Sequence, residues 1–261
     1  MKKRPLGQNF LIDLSIAQNI IQLAHIQPGE PVVEIGPGKG VLTQLLIQQA
    51  DSLTAIELDP QLSQGLQNRF SNTPFFKLVE GDAAKFDYGS LGVGLNVVSN
   101  LPYYAATHIM KKLIHYRKHI RSMTLMLQKE VVDRLTAKPG LRAYGSLSVY
   151  VHYHCEVQRL LEIPNYAFSP KPKIDSSLIS LTPLPQPRVQ VEDPKLFFKM
   201  VNSAFFHKRK MLKNNLKDWK HLFNENNGEA RLAGIDLNRR GETLSLDEFA
   251  DLANYLHAQN G

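Results

Sequence analysis

The sequence predicts an α/β protein, with a mostly parallel sheet covered on both faces by helices and a small all-helical domain after it. From residue 32 to about 137, runs of five or so β-favouring residues alternate with helical segments of about ten. That rhythm is the signature of βαβ units. The stretch TPLPQPRVQVEDP (182–194) then places four prolines where a central strand cannot pass, and the pattern beyond it is helical. The expected domains are therefore 1–185 and 186–261.

Taken in order, VVEIG (32–36) is an apolar strand ending in glycine, GVLTQLLIQQA (40–50) is amphipathic, and LTAIE (53–57) is a second strand. QLSQGLQNRF (61–70) reads as a helix, FFKLV (75–79) and LNVVS (95–99) as the third and fourth strands, and 105–116 as a helix. MTLMLQ (123–128) is the next strand and leads into a helix over 129–137. SLSVYVHYH (146–154) and KIDSSLISL (173–181) read as two consecutive strands, an antiparallel pair at one edge. Helices are expected at 194–206, 208–221, near 228–233 and at 245–257, the last opened by the capping box Ser245 to Glu248.

Composition bounds the function. With 261 residues, 43% hydrophobic and 21% charged, the chain can bury a real core and is not a disordered polymer. A single cysteine, Cys155, excludes a disulfide framework and a multi-cysteine zinc site. His152 and His154 precede it without further ligands nearby, which favours ordinary packing over a metal site. No run of about 18 apolar residues is present, and Gln8, Asn9 and Asp13 interrupt the basic opening MKKRPLGQNFLID. The expectation is a soluble, cytoplasmic protein without a membrane partner.

The net charge of +7 is concentrated. Between residues 195 and 221 lie Lys195, Lys199, Lys208, Arg209, Lys210, Lys213, Lys217 and Lys220 against Asp218 alone, so this stretch carries the whole excess. Phenylalanines and Trp219 are interleaved with it, which suits a polyanion, with an anionic membrane surface as the rival and a solvated helix face as the plain reading. Lys2, Lys3 and Arg4 read as a tail or as an arm touching the same partner.

EIGPGKG places Gly36, Gly38 and Gly40 between the first strand and the first helix. A dinucleotide fingerprint needs glycine where Val41 stands, and Gly38-Lys39-Gly40 fails the P-loop pattern. What remains is G-x-G-x-G behind an acidic strand residue, Glu34, the form found in S-adenosylmethionine (SAM)-dependent methyltransferases. Glu57 ends the second strand, 21 residues after Gly36, where a carboxylate can accept both ribose hydroxyls of a nucleoside cofactor. Asp82, after the third strand, is placed to accept from an adenine amino group. Acids at the carboxyl ends of successive strands face one crevice, where open α/β sheets bind ligands.

The fourth strand ends in Asn100-Leu101-Pro102-Tyr103. The exocyclic amine of adenine is a poor nucleophile because its lone pair is delocalised into the ring. Two acceptors on its N–H groups favour a more tetrahedral nitrogen. The Asn100 side-chain oxygen and the Leu101 carbonyl are such acceptors, Pro102 fixes the chain that aims them, and Tyr103 offers a face for a flipped base.

GQNFL (7–11), EIGPGKGVLT, NLPY, FSPKPKIDS (168–176) and AFFHKRKMLKNNL (204–216), taken with the LSLDEFADL ending, closely resemble the KsgA family of small-subunit rRNA adenine dimethyltransferases over nearly the whole chain. The resemblance implies a Rossmann-like SAM-dependent methyltransferase sheet that transfers four methyl groups from SAM to two adjacent adenosines near the 3′ end of 16S rRNA. It implies SAM contacts at Asn9, Leu11, Gly36, Gly38, Glu57, Asp82 and Asn100, with NLPY at the acceptor amine and Phe168 as a second aromatic wall. It further implies that the helical domain grips RNA through Lys208, Arg209, Lys210 and Lys213, and that a monomer acts on the small ribosomal subunit or its assembly precursor. Two departures stand out. Tyr104-Ala105-Ala106-Thr107 follows NLPY where N-I-S-T is usual, and Phe206-His207-Lys208-Arg209-Lys210-Met211 replaces a sequence like N-Q-R-R-K-T. The rivals are a resistance-type methylase of large-subunit rRNA, a non-catalytic assembly or transcription factor on the same fold, and a DNA amino-methyltransferase, whose target-recognition insertion is missing here.

Overall fold

The computed structural model describes residues 8–222, 224–226 and 229–260. Lys2, Lys3, Arg4 and Gly7 lie outside them. Two compact units divide the chain: residues 1–132 with 156–185, and 133–155 with 186–261.

The first unit opens with β1 (Phe10–Leu11) and α1 (Leu14–Leu23). The Asp13 carboxylate caps α1 by accepting from the backbone N–H groups of Ser15 at 3.0 Å and Ile16 at 3.2 Å. The alternation follows: β2 (Pro31–Ile35), α2 (Val41–Leu46), β3 (Ser52–Glu57), α3 (Pro60–Phe70), β4 (Phe76–Glu80), β5 (Leu95–Asn100), α4 (Ala106–His115) and β6 (Ile120–Gln128). Asp59 caps α3, and Pro60 occupies its first turn, where the missing N–H costs nothing. Then come α5 (Lys129–Leu135), which runs across the boundary between the units, β7 (Cys155–Ile163), β8 (Phe168–Ser169) and β9 (Ser176–Pro183).

The seven-stranded sheet has the order β4-β3-β2-β5-β6-β9-β7. Its first five strands are mutually parallel and β9 is antiparallel to β6. From β2 the chain moves outward to β3 and β4, then returns to β2's other side with β5. The strand order therefore reverses between β2 and β5, the point at which such sheets bind ligands. β1 pairs with β8, setting Leu11 opposite Phe168. The core on one face of the sheet gathers Ile20, Leu46, Leu53, Val98 and Met126, all 1% exposed or less.

In the second unit, α6 (Ser146–His154), α7 (Pro194–Ala204), α8 (Leu212–Asn215) and α9 (Leu246–Asn260) accompany a three-stranded sheet of β10 (Asn224–Asn226), β11 (Glu229–Leu232) and β12 (Ile235–Asp236). Its core contains Tyr144, Phe197, Phe205, Trp219 and Phe249. Asp193 caps α7 with Pro194 in its first turn, and the predicted box at α9 is present: Ser245 Oγ accepts from the Glu248 N–H, and Glu248 from the Ser245 N–H.

The structure corrects five expectations. Residues 146–154 form a helix, because the Gly145 N–H is satisfied by Ser148 Oγ at 3.0 Å and Val149, Val151 and Tyr153 are buried. Tertiary packing overrides their β propensity. The edge strand paired with residues 173–181 is instead β7, and 133–155 belongs with the second unit rather than with 1–185. That unit is not all-helical, since 229–232 is a strand where a helix was expected. The helix expected over 208–221 is a turn to residue 210, then α8 and a short 3-10 segment, Lys217–Leu222.

Candidate active site

The loop after β2 turns on glycines with left-handed backbones: φ is +63° at Gly36, +58° at Gly38 and +78° at Gly40. An L side chain is strained in each. A Cβ on Gly40 would also come within 2.9 Å of Leu66, and one on Gly38 within 3.0 Å of the Phe10 ring. Glu57, at the end of β3 and only 4% exposed, holds this loop from below. Its Oε2 accepts the Gly38 N–H at 3.0 Å, and its Oε1 accepts those of Leu58 at 2.9 Å and Asp59 at 3.0 Å. A carboxylate has about four lone-pair sites, so one strong acceptor position, on Oε2, is left for a ligand hydroxyl.

Asp82 follows β4. Its Oδ1 accepts the Ala84 N–H at 2.9 Å, while Oδ2 faces Lys85 at 4.0 Å across solvent. Asn100 ends β5, and its Nδ2 donates to the Asn9 carbonyl at 3.3 Å. That bond fixes the amide so that Oδ1 is presented as an acceptor. Leu101 is 1% exposed, with its N–H on the Met126 carbonyl. Tyr103 is braced by a 2.6 Å hydrogen bond between its hydroxyl and Ser176 Oγ, and burial holds its phenol above the usual pKa.

These residues surround one cavity of about 370 Å³, lined by Asn9, Leu11, Gly36, Gly38, Glu57, Asp82 and the whole of Asn100 to Tyr103. The volume is within the range of small-molecule sites. Beneath it lies Glu34, 1% exposed, accepting from Thr43 Oγ1 at 2.6 Å. Burial first, with the nearby charge of Glu57 adding to it, pushes its pKa up to about 8, so the side chain is mostly neutral at pH 7.

Phe168 is not among the lining residues. It is 2% exposed in β8, opposite Leu11, and packs into the core. Tyr104 and His108 do line the cavity, though no motif pointed to them. Tyr104 is 58% exposed, and burial together with the charges of Asp82 and Glu57 raises its pKa. The departure at Tyr104-Ala105-Ala106 therefore supplies an aromatic ring at the cavity. Lys208, Arg209 and Lys210 lie exposed in the turn between α7 and α8, with Lys213 half-buried in α8.

The residues fit SAM. An acid remains for a ribose hydroxyl and a second acid for the adenine amine, a glycine loop allows close approach, and Ile56, Leu58, Ala83 and Ile109 give apolar walls. A seven-stranded sheet with this crevice at its reversal point, and Asn-Leu-Pro-Tyr lining it after β5, defines a SAM-dependent methyltransferase.

The model of the family "Ribosomal RNA adenine dimethylase" matches residues 1–258, and the chain belongs to that family. It is similar to the ribosomal RNA small subunit methyltransferase A of Clostridium acetobutylicum, 41% identical over 97% of this chain and 92% of the relative. The protein of the same name from Oceanobacillus iheyensis is 40% identical over 97% of this chain and 89% of its own. Among solved structures, a dimethyladenosine transferase from Plasmodium falciparum shares the fold with a TM-score of 0.78 at 24% identity, over 96% of this chain and 98% of that one. The 23S rRNA methyltransferase ErmE does so with a TM-score of 0.73 at 22% identity, over 95% and 100%. The chain is a SAM-dependent rRNA adenine dimethyltransferase. Among the described residues no helix is long and apolar enough to cross a membrane.

Proposed function

We propose that this enzyme dimethylates the N6 amines of two adjacent adenosines near the 3′ end of small-subunit rRNA, acting as a cytoplasmic monomer on the subunit or its assembly precursor. The observation that carries the reading is the meeting of the glycine loop and Asn100–Tyr103 in one cavity where the strand order reverses. In it, Asn9, Leu11, the glycine loop, Glu57 and Asp82 hold the cofactor, which supplies an electrophilic methyl group when bound.

Asn100 Oδ1 and the Leu101 carbonyl accept the two N–H groups of the target amine, drawing its lone pair out of conjugation. Both acceptors stay in place as positive charge develops on nitrogen, which is where fixed dipoles contribute most. After one methyl transfer a single N–H remains, so one acceptor suffices to hold the amine for the second. Tyr103 stacks on the base from a position fixed by Ser176. Phe168 supports β1 and the Asn9–Leu11 wall from the core. Lys208, Arg209, Lys210 and Lys213 contact rRNA phosphates, which makes 186–261 the RNA-gripping part of the chain.

The test is incubation of under-methylated small subunits with labelled SAM, followed by nucleoside mass spectrometry. Dimethyladenosine mapped to the 3′-terminal helix is the expected product. Product confined to large-subunit rRNA, or SAM binding without product on either subunit, overturns the reading.

A further inference from the structure

The turn that carries the basic residues also carries the most exposed aromatic side chain of the described residues. Phe206 is 78% exposed and Met211, five residues on, is 42% exposed. Its neighbour Phe205 is 9% exposed and packs against Tyr144 and Phe249 at ring centroid distances of 5.8 and 5.7 Å. The chain thus anchors one phenylalanine and holds the next one out.

The turn is built to keep it there. Asn215 Nδ2 donates to the carbonyls of Ala204 at 2.8 Å and His207 at 3.1 Å, and its Oδ1 accepts the His207 N–H at 3.3 Å. The Phe206 N–H donates to the Ser203 carbonyl at 3.1 Å, and the Lys210 N–H to that of His207 at 2.9 Å. On the far side, Met211 bridges Arg240, and the Leu212 N–H reaches the Arg239 carbonyl at 2.8 Å. The His207 ring meets Phe206 edge-on at 4.7 Å. Lys208 reaches the Tyr144 carbonyl at 3.4 Å, while no ion pair engages Arg209, Lys210 or Lys213 among the described residues.

An exposed aromatic side chain, on a turn whose cations have no acidic partners among the described residues, matches how single-stranded nucleic acid is bound: phosphates on the cations, a base on the ring. A protein partner with an apolar pocket would not need the free cations.

We propose that Phe206 is a stacking platform for an unpaired base of the substrate RNA, presented by the turn that carries Lys208, Arg209 and Lys210. This rests on reading those cations as RNA contacts, and it adds a contact with a base to one made only with phosphates. Because every base has a π-face, the contact strengthens binding to single-stranded over fully paired segments without selecting sequence.

The full chain is titrated with a fluorescein-labelled 20-nucleotide oligoadenylate from low to physiological salt. The variants are Phe206→Ala, Phe206→Leu, Phe206→Tyr and the double change Arg209→Ala with Lys210→Ala. Phe206→Ala is expected to weaken binding about 5- to 100-fold at every salt concentration without altering the log–log salt slope. Phe206→Leu should resemble it, and Phe206→Tyr should bind as the unaltered chain does. The double change should instead flatten the slope.

If the double change flattens the slope and Phe206→Ala binds normally, the stacking platform is refuted and the basic contact stands. If neither variant changes affinity or slope, both fall together. Phe206→Leu binding as tightly as Phe206→Tyr would reduce the contact to simple apolar burial and overturn stacking. Vesicles of phosphatidylglycerol and phosphatidylcholine that displace the oligonucleotide from the unaltered chain, but fail to bind Phe206→Ala, would reassign the turn to a membrane surface. Unchanged Trp219 fluorescence in each variant confirms that the unit carrying the turn is folded.

Discussion

Glu34→Gln isolates a cost that the site imposes on the fold. Glu34 lies in β2, 1% exposed, with its carboxyl bonded to Thr43 Oγ1 and its pKa pushed up to about 8 from near 4.5, first by burial. Between those values the folded protein keeps a proton that the unfolded chain has released. Stability from this group is complete below pH 4.5 and falls by about 1.4 kcal/mol per pH unit as pH rises, until the loss is complete above 8. Across the window the loss comes to roughly 3–5 kcal/mol, a large fraction of the net stability of a domain. Glutamine preserves the acceptor for Thr43 and cannot ionise. The variant should therefore match the unaltered protein near pH 5 and exceed it by several kcal/mol at pH 8. Hydrogen exchange of the β2 amides, corrected for intrinsic rates, reads this unit directly. The single tryptophan, Trp219, belongs to the other unit and would report the wrong transition. Stability curves that run parallel from pH 5 to 9 would refute the reasoning.

The remaining predictions concern ligand and chemistry. Glu57→Ala should weaken SAM binding by about 1–3 kcal/mol in calorimetry, through the lost ribose contact and the released Gly38 N–H, and unchanged affinity would remove Glu57 from the site. Asn100→Ala should abolish single turnover at saturating SAM while RNA affinity holds, and a near-normal rate would exclude Asn100 as the amine acceptor. Tyr103→Phe should keep most activity, since stacking needs only the ring, yet lose about 1–3 kcal/mol of stability because Ser176 Oγ is left unpaired in the core. Adding Ser176→Ala should recover part of that loss in thermal unfolding, whereas Tyr103→Ala should lose activity. Replacing Lys208, Arg209, Lys210 and Lys213 with Ala should flatten the salt dependence of rRNA binding by about 0.7–0.9 in log–log slope per phosphate contact, with SAM affinity unchanged.

The centre of the parallel half of the sheet was legible because β2 and β5 are buried along most of their length and read as short, mainly apolar runs, as in VVEIG and LNVVS. The reading failed where local signal and packing disagree. SLSVYVHYH alternates β-branched and aromatic residues like a half-buried strand, yet it is a helix surrounded by its own core, so its apolar residues on more than one side satisfy both periods. β7, CEVQRLLEI, was missed for the opposite reason: as an edge strand with exposed residues along it, it has no apolar run to find. The stretch 208–221 has helical composition, but Asn215 ties its start into a turn through contacts that depend on where α7 ends. Among the candidate site residues, those on strand ends line one cavity, since a motif fixes their place relative to the sheet. Phe168 pairs with Leu11, far away in sequence, and lies outside the cavity lining, a placement that its own motif does not reveal. Tyr104 and His108 were missed because only the start of α4 brings them to the cavity.

The distance between the glycine loop and its acid has a physical reason that the motif alone does not reveal. Three glycines with positive φ have no side chains with which to hold a loop in place, so the loop's shape must be imposed from outside it. β3 is the neighbour of β2, in register such that Ile35 lies beside Ile56. The next residue on β3, Glu57, therefore emerges beside the loop, and its carboxylate takes the Gly38 N–H as the Gly36 N–H takes the Ile56 carbonyl at 2.9 Å. On the other side of β2, Ser99 Oγ of β5 bonds the Ile35 carbonyl at 2.6 Å, and Pro102 lies within 3.8 Å of where a Gly36 Cβ would be. The loop is thus clamped between β3, which ends in Glu57, and β5, which ends in Asn100.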